Sequence, residues 1–276
     1  MKILIQGGRV INPATGFDQV ADITVAAGRI VAVGTAPQDF HPNKTIDAKG
    51  SIVAPGLVDL CVRLKEPGYE HEGMLESEMA AAVTGGVTSL VCPPDTDPVL
   101  DEPGLVQMLK FRAEKLHQAR VFPLGALTRN LKGEVLTEMV ELTESGCVGF
   151  GHAEVPVVNT QVLQRALQYA STFGYTVWLR PQDAWLGKGV AASGALATRL
   201  GLAGVPAAAE TIALNTLFDL MRGTQARVHL CRLSSAAGVA LVRAAKAEGL
   251  KVTCDCLLYT SPSPRDYAAS RMPSSA

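Results

Sequence analysis

The chain has 276 residues, of which 47% are hydrophobic, and this is enough for one large domain or a barrel with a small satellite domain. Its 25 Lys and Arg residues against 26 Asp and Glu residues give a formal net charge of −1, so no overall field favours nucleic acid or anionic lipid. There is no apolar run of the roughly 18–20 residues that a membrane span needs, and the start does not read as a signal peptide. We therefore expect a cytoplasmic globular protein, with its six scattered cysteines as reduced thiols.

Residues 1–54 are short β-branched segments separated by turn signals. The segments KILIQGGRVI, DITVAAGRIVAVG and KTIDAKGSIVAPG are each closed by Gly, Asn or Pro. We predict that residues 1–54 are the N-terminal part of a small β-sandwich domain.

From Pro55 onward, short apolar segments alternate with longer amphipathic ones, which is the pattern of parallel βα units. Seven strands are predicted, at 56–62, 87–93, 120–126, 147–151, 175–180, 227–233 and 250–255. Five helices are predicted between them, at 74–86, 102–118, 159–174, 206–223 and 236–249. Seven strands are one short of a closed eight-stranded barrel, so residues 55–255 are expected to form an α/β barrel of the TIM type, truncated before its last strand.

The last segment breaks the pattern. Residues 256–276, CLLYTSPSPRDYAASRMPSSA, are rich in Ser and Pro and continue no βα periodicity. We expect a non-native disordered tail that resembles translated adapter or vector sequence, with a natural disordered tail as the alternative.

Five motifs at predicted strand ends carry a family resemblance. The segment PGLVDLCVRLKEPG (55–68) is similar to PGxxDxHxHxR(E)PG, which supplies two metal-binding histidines in dihydroorotases, hydantoinases and allantoinases. The other four motifs are VCPPDTDPVLD (91–101), GCVGFGHAEVPV (146–157), VWLRPQD (177–183) and the VHLCRLSS segment that begins at residue 228. The chain thus resembles the dihydroorotase family of the amidohydrolase superfamily, with the E-P-G turn pointing to the dihydroorotase branch.

The resemblance implies a metal site that this sequence lacks. Active members hold one or two divalent metals with two His after strand one, a carboxylate after strand four, and one His each from strands five and six. Here these positions fall on Cys61 and Arg63, on His152 or Ala153, on Arg180 and on Arg232. The general-base Asp after strand eight has no counterpart.

Arginine has no lone pair to donate and stays protonated in proteins, so Arg63, Arg180 and Arg232 cannot bind a metal ion. At about 4 Å and an effective dielectric of about 20, each like-charge contact costs about 4 kcal/mol per unit charge. We expect no zinc, no other cofactor and no catalytic residue. A replacement metal site made of Cys61, His152 and His229 would be a weak set of ligands. His229 is interpreted as a strand histidine whose ring nitrogens are hydrogen-bonded within the protein.

Two further expectations concern neighbouring side chains. The three arginines are predicted to pair with Glu66, Asp95, Asp97 or Asp183. The resemblance also implies that Lys65 replaces an Arg that grips the substrate carboxylate and that Asp95 replaces an Asn, and both changes weaken recognition of an anionic substrate.

Catalytically inactive dihydroorotase homologues of bacteria bind aspartate carbamoyltransferase and hold it in an active assembly for pyrimidine biosynthesis. The departures in this sequence resemble those of that group. The resemblance therefore implies a non-catalytic partner of the transferase catalytic subunit in a hetero-oligomer. The alternatives are an active dihydroorotase or related cyclic amidohydrolase with an altered metal site, and an inert fragment whose open barrel is poorly stable.

Overall fold

A computed structural model describes residues 1–256 of the chain. The chain divides into two compact units, Met1–Leu57 and the residues from Val58 onward. The tail predicted at 256–276 lies, apart from Cys256, outside the described residues. In residues 1–256, no helix has the length and apolar character to cross a bilayer.

The first unit is a single five-stranded sheet. Its strands are β1 (Lys2–Asn12), β2 (Phe17–Ala26), β3 (Arg29–Gly34), β4 (Lys44–Asp47) and β5 (Ile52–Val53). Strand β1 pairs antiparallel with β2 and parallel with β4 and β5, while β3 pairs antiparallel with β2. Residues 1–57 contain no second sheet facing this one, so the expected sandwich stays a prediction. Val20, Ile30 and Ile52 are exposed apolar residues of this sheet.

The second unit contains all seven predicted barrel strands. Its strands are β6 (Leu57–Asp59), β7 (Val87–Cys92), β8 (Arg120–Pro123), β9 (Gly125–Ala126), β10 (Phe150–Gly151), β11 (Thr176–Leu179), the short pair β12 (Ala191–Ala192) and β13 (Gly204–Val205), β14 (Arg227–Leu230) and β15 (Val252–Cys254). Strands β6-β7-β8 are neighbours in one sheet, and β9-β10-β11-β14-β15 are neighbours in another.

The two barrel sheets meet where β8 runs into β9 with one residue between them. The N–H of Leu124 donates to the carbonyl of Cys92 on one side (2.8 Å), and the N–H of Gly125 donates to the carbonyl of Gly149 on the other (3.0 Å). The predicted strand at 120–126 is therefore one continuous path that links parallel neighbours on both sides. This parallel arrangement brings the C-terminal ends of the strands to one side of the unit.

Helices alternate with the strands. They are α1 (Leu75–Thr84), α2 (Pro103–Lys115), α3 (Met139–Glu144), α4 (Thr160–Phe173), α5 (Ala195–Arg199), α6 (Ala208–Thr224) and α7 (Ala236–Ala247), with 3₁₀ turns at Arg129–Leu131 and Leu186–Lys188. The five predicted helices are confirmed, whereas α3 and α5 were not predicted because five or six residues are too short to show a helical period. Helix α4 begins after Asn159, whose side chain accepts bonds from two backbone N–H groups, and ends at Gly174 with φ +72°.

The core lies between the parallel strands and their helices. Phe150 of β10 is fully buried and packs against Tyr175 with a ring-centroid distance of 5.3 Å. Opposite it, Gly125 leaves room for the ring, because a Cβ atom there would lie 2.9 Å from Phe150. This packing fixes β10 beside β9, and the loop after β10 carries a residue of the candidate site.

Replacing Phe150 with alanine tests this packing. Because the ring is fully buried, Phe150→Ala should lower the free energy of unfolding by about 3–5 kcal/mol, as for other buried Phe→Ala changes. The matched control is Phe111→Ala, since Phe111 is 58% exposed and should cost about 0.5 kcal/mol or less. Denaturant unfolding followed by circular dichroism measures both, and equal losses would contradict the assigned core.

Candidate functional site

The candidate site is built from loops that follow barrel strands. Arg180 comes directly after β11, Arg232 comes two residues after β14, and Arg63 lies in the loop after β6. Glu154 comes three residues after β10, and Asp95 comes three residues after β7. Because these strands are parallel, their following loops meet at the same end of the unit.

All three arginines contact the carboxylate of Glu154. Arg63 Nη2 donates to Glu154 Oε1 at 3.1 Å, Arg180 Nη1 donates to Oε2, and Arg232 Nη2 contacts Oε1. One carboxylate thus binds guanidinium groups from three separate strand ends. We call Arg63, Arg180, Arg232, Glu154 and Asp95 the arginine cluster.

Of the four acids predicted to pair with the arginines, one was correct. Arg63 donates to Asp95 Oδ2 from Nε at 3.0 Å and from Nη2 at 2.7 Å, which confirms that pair. The predictions for Glu66, Asp97 and Asp183 were wrong, since none of the ion pairs within residues 1–256 joins them to these arginines. The main partner, Glu154, was missed.

Two of the three acids that were wrongly predicted, Glu66 and Asp183, have other partners. Glu66 is 2% exposed, contacts Arg112 of α2 and accepts a bond from the N–H of Leu75 at the start of α1. Asp183 accepts bonds from the N–H groups of Trp185 and Leu186 and so holds a local turn. Their carboxylates are occupied by local backbone and helix contacts.

Cys61 and Ala153 border a small cavity of about 20 Å³ beside Arg232, Trp178 and Cys231. Burial raises the pKa of the Cys61 thiol, although the positive charges of Arg232 and Arg63 act in the opposite direction. In the metal-free chain the thiol is therefore protonated near neutral pH. Of the two residues considered after strand four, Ala153 is the one at this cavity.

His152 is turned away from the arginine cluster. The ring is buried, with Nε2 2.7 Å from Thr128 Oγ1 and Nδ1 2.7 Å from the carbonyl of Val155. A carbonyl can only accept, so Nδ1 carries the proton and Nε2 accepts from the threonine hydroxyl. Burial also lowers the pKa of His152, which favours this neutral form. The replacement ligand set that included His152 is therefore not assembled.

His229 lies in a satisfied hydrogen-bond network. Its Nε2 donates to Asp255 at 3.0 Å, its Nδ1 lies 2.8 Å from Thr253 Oγ1, and its ring packs on Trp178 at 4.2 Å between centroids. Burial would raise the pKa of Asp255, but bonds from His229 and from the N–H of Arg232 outweigh it and hold that pKa low. The N–H of Arg232 donates to Asp255 Oδ1 at 2.6 Å, and this bond fixes the backbone of Arg232.

One group within residues 1–256 has ligand atoms close enough to hold a metal ion, namely His229, Cys231 and Asp255, whose atoms lie within 4.8 Å of one another. Both ring nitrogens of His229 already have protein partners, and burial raises the pKa of the Cys231 thiol. The group is thus satisfied as a structural network without an ion.

A buried carboxylate that was not predicted also positions Arg232. Glu210 of α6 is 7% exposed and accepts four bonds from the N–H and hydroxyl groups of Ser234 and Ser235, at 2.6–3.1 Å. Ser235 is also the N-cap of α7. Arg232 itself has φ +60°, an uncommon value for a residue with a side chain. Glu210 and Asp255 therefore hold the turn that aims Arg232 at Glu154.

Lys65 and Asp95 lie near each other, as expected for neighbouring loops. Both line a cavity of about 230 Å³ together with Tyr69 and Thr96. Lys65 forms an ion pair with Glu72, and Asp95 pairs with Arg63, so both charges are engaged within the protein.

The residues present do not fit the family's zinc site. Zinc is held by thiolate, neutral imidazole or carboxylate. The corresponding strand ends present a single thiol, three guanidinium groups and an alanine methyl, so at most one of these groups could bind zinc. The carboxylate nearest to them, Glu154, is already bound by the three arginines.

Comparison with known proteins decides the family. The model of the dihydro-orotase-like family matches residues 50–264, which is well over half of the chain. The chain belongs to the dihydroorotase-like family. This confirms the resemblance inferred from the five strand-end motifs.

Some relatives of this chain are named dihydroorotase-like proteins, and others are named dihydroorotases. It is 48% identical to a dihydroorotase-like protein of Pseudomonas aeruginosa, covering 94% of this chain and 62% of that protein. It is 41% identical to a dihydroorotase of Geobacter metallireducens, covering 92% of this chain and 60% of that protein. The chain thus spans about 60% of the length of these curated relatives.

Solved structures agree on the fold of this dihydroorotase-like chain. An L-hydantoinase from Arthrobacter aurescens superposes with a TM-score of 0.76 at 22% identity, over 92% of this chain and 58% of that one. A D-hydantoinase from a Thermus species gives 0.71 at 20% identity, over 97% and 60%. At such identities the likeness concerns the fold, and it supports an α/β fold of the TIM type.

Replacing Glu154 tests the arginine cluster. In Glu154→Gln the three guanidinium groups lose their shared negative partner. These side chains are partly exposed, so the free energy of unfolding should fall by about 1–3 kcal/mol, between the values for surface and buried pairs.

The matched control is Glu248→Gln, which breaks the exposed pair with Arg222 and should lower the free energy of unfolding less, because solvent screens a surface ion pair. Denaturant unfolding at low salt compares the two variants. If Glu154→Gln costs no more than Glu248→Gln, Glu154 does not bind the three arginines together.

Proposed function

We propose that this chain is a non-catalytic member of the dihydroorotase-like family, in which the arginine cluster stands where active members bind metal. The observation that carries the proposal is the contact of Glu154 with Arg63, Arg180 and Arg232 at three strand ends. Catalysis by a metal site needs an ion that acidifies a bound water. Three permanently charged guanidinium groups repel such an ion and cannot coordinate it.

We further propose that the protein of which this chain is a part supports aspartate carbamoyltransferase assembly in pyrimidine biosynthesis. The support is the resemblance to bacterial homologues that have lost their metal ligands and bind the transferase catalytic subunit. In this proposal the retained function lies on the outer surface of the barrel, in a cytoplasmic hetero-oligomer. No nucleic acid or membrane takes part, in keeping with the net charge of −1.

A second candidate is an active dihydroorotase with an altered metal site. It is favoured by relatives that bear the name dihydroorotase at 41% and 40% identity. It would need a metal set outside the usual positions, and His229, Cys231 and Asp255 are the group with suitable spacing in residues 1–256. The two candidates differ in metal content and turnover.

The first experiment measures the metal content and the turnover of the chain. The purified chain, incubated with excess zinc and then desalted, should retain far less than one zinc per chain by mass spectrometry and should not interconvert dihydroorotate and carbamoyl aspartate. The dihydroorotase of Geobacter metallireducens, treated in the same way, serves as the positive control. About one zinc per chain together with turnover that a chelator abolishes would favour the second candidate instead.

The second experiment tests the partner. The chain and the aspartate carbamoyltransferase catalytic subunit of the same organism should elute together from a sizing column, and the transferase activity should differ from that of the subunit alone. Glu154→Gln should behave like the unchanged chain, since the proposed partner surface is outside the barrel mouth. Separate elution with unchanged transferase activity would remove the proposal.

A further inference from the structure

The arginine cluster has more hydrogen-bond donors than acceptors. Each guanidinium carries five N–H hydrogens, so the three arginines carry fifteen. The two carboxylates that they contact, Glu154 and Asp95, cannot accept that many hydrogen bonds. In residues 1–256, the buried Nε of Arg232 has no hydrogen-bond partner. A buried donor without a partner is unusual in a folded protein and marks a place where a ligand atom would be stabilised.

The charges of the cluster do not cancel. Three positive and two negative side chains leave one net positive charge while Glu154 is in place. If Glu154 turned aside, Arg63, Arg180 and Arg232 with Asp95 would leave two. The Lys65–Glu72 pair nearby adds no net charge. Asp255, which accepts a bond from the N–H of Arg232, brings this count from two to one, so the opened site stays positive and matches a small anion.

There is room for such a ligand beside the cluster. A cavity of about 570 Å³ borders Arg180 and Arg232 together with Gln182, Ser193 and Ser234. The side chains of Arg63 and Arg180 are 38% exposed, so their guanidinium groups can be reached from solvent.

One acid faces the same cavity. Glu210 borders it, but both of its oxygens already accept bonds from Ser234 and Ser235. Those four donors offset its charge locally, whereas the arginines keep unused donors. An anion in the cavity would therefore bind at the side of Arg180 and Arg232.

We propose that Arg63, Arg180 and Arg232 form a binding site for a small oxyanion, a phosphate or a dicarboxylate. Glu154 is the internal carboxylate that occupies the site until the ligand displaces it. Guanidinium groups suit this role because their planar forks bind carboxylate and phosphate oxygens two at a time. This site is independent of any transferase partner, so either proposal can fail without the other.

The test measures binding of inorganic phosphate and of malonate to the 276-residue chain by calorimetry, with chloride at the same ionic strength as the reference. We expect saturable binding of at least one of the two anions. Which of them binds tells whether the site prefers a phosphate or a dicarboxylate, and either result supports the proposal. A heat no larger than that with chloride for both anions would overturn it.

Variants identify which side chains bind the anion and which one competes with it. Glu154→Gln removes the internal competitor and should lower the Kd about tenfold, while Arg180→Gln should raise it about tenfold, as expected for loss of charge-assisted hydrogen bonds. Arg180→Lys, which keeps the charge but loses the fork, is the second variant if Arg180→Gln does not fold. It should also bind more weakly than the unchanged chain.

The matched control is Glu248→Gln, which removes an equal charge from the exposed ion pair with Arg222, outside the cluster, and should leave the Kd unchanged. Circular dichroism confirms that each variant is folded. If Glu154→Gln and Glu248→Gln change the Kd equally, the anion does not compete with Glu154 and the assigned site is wrong.

Discussion

The carboxylate of Glu154 binds three guanidinium groups that arrive from three different strand ends of the barrel unit. Arginines at this spacing would repel one another strongly without a shared negative partner, so Glu154 makes the arrangement possible. Asp95 adds a second negative charge against Arg63. The same contacts surround both carboxylates with positive charge, which disfavours a divalent ion, and this links the packing of the barrel mouth to the proposed loss of metal chemistry.

Two carboxylates behind the cluster hold it in place. Asp255 accepts from the N–H of Arg232 and from His229, and Glu210 holds the two serines that follow in the same turn. These acids set the direction of Arg232 without contacting Glu154 themselves. His229 thereby has a structural role, because it bonds the carboxylate that fixes the backbone of Arg232.

The regular part of the fold could be predicted because the long helices repeat a hydrophobic period and the barrel strands fall in short apolar segments between them. The short helix α3, the short helix α5 and the two-residue strands β12 and β13 could not, since they contain too few residues for a period. At the site, the positions of Arg63, Arg180 and Arg232 followed from motifs. Glu154 was missed although it lies two residues after His152 in the GHAEVPV segment, because the family motif marks the histidine position and gives no role to the acid. Whether His152 faces the site depends on Thr128 and Val155, contacts that no local pattern encodes.

We propose that guanidinium groups bound to Glu154 stand where active relatives present metal ligands. The most direct test is anomalous diffraction at the zinc absorption edge, from crystals of this chain grown with zinc. We predict no anomalous peak among Cys61, Arg63, Arg180 and Arg232, with density for Glu154 in contact with all three guanidinium groups. A peak at the roughly 2.0–2.3 Å zinc–ligand distance from side chains at these strand ends would contradict the account.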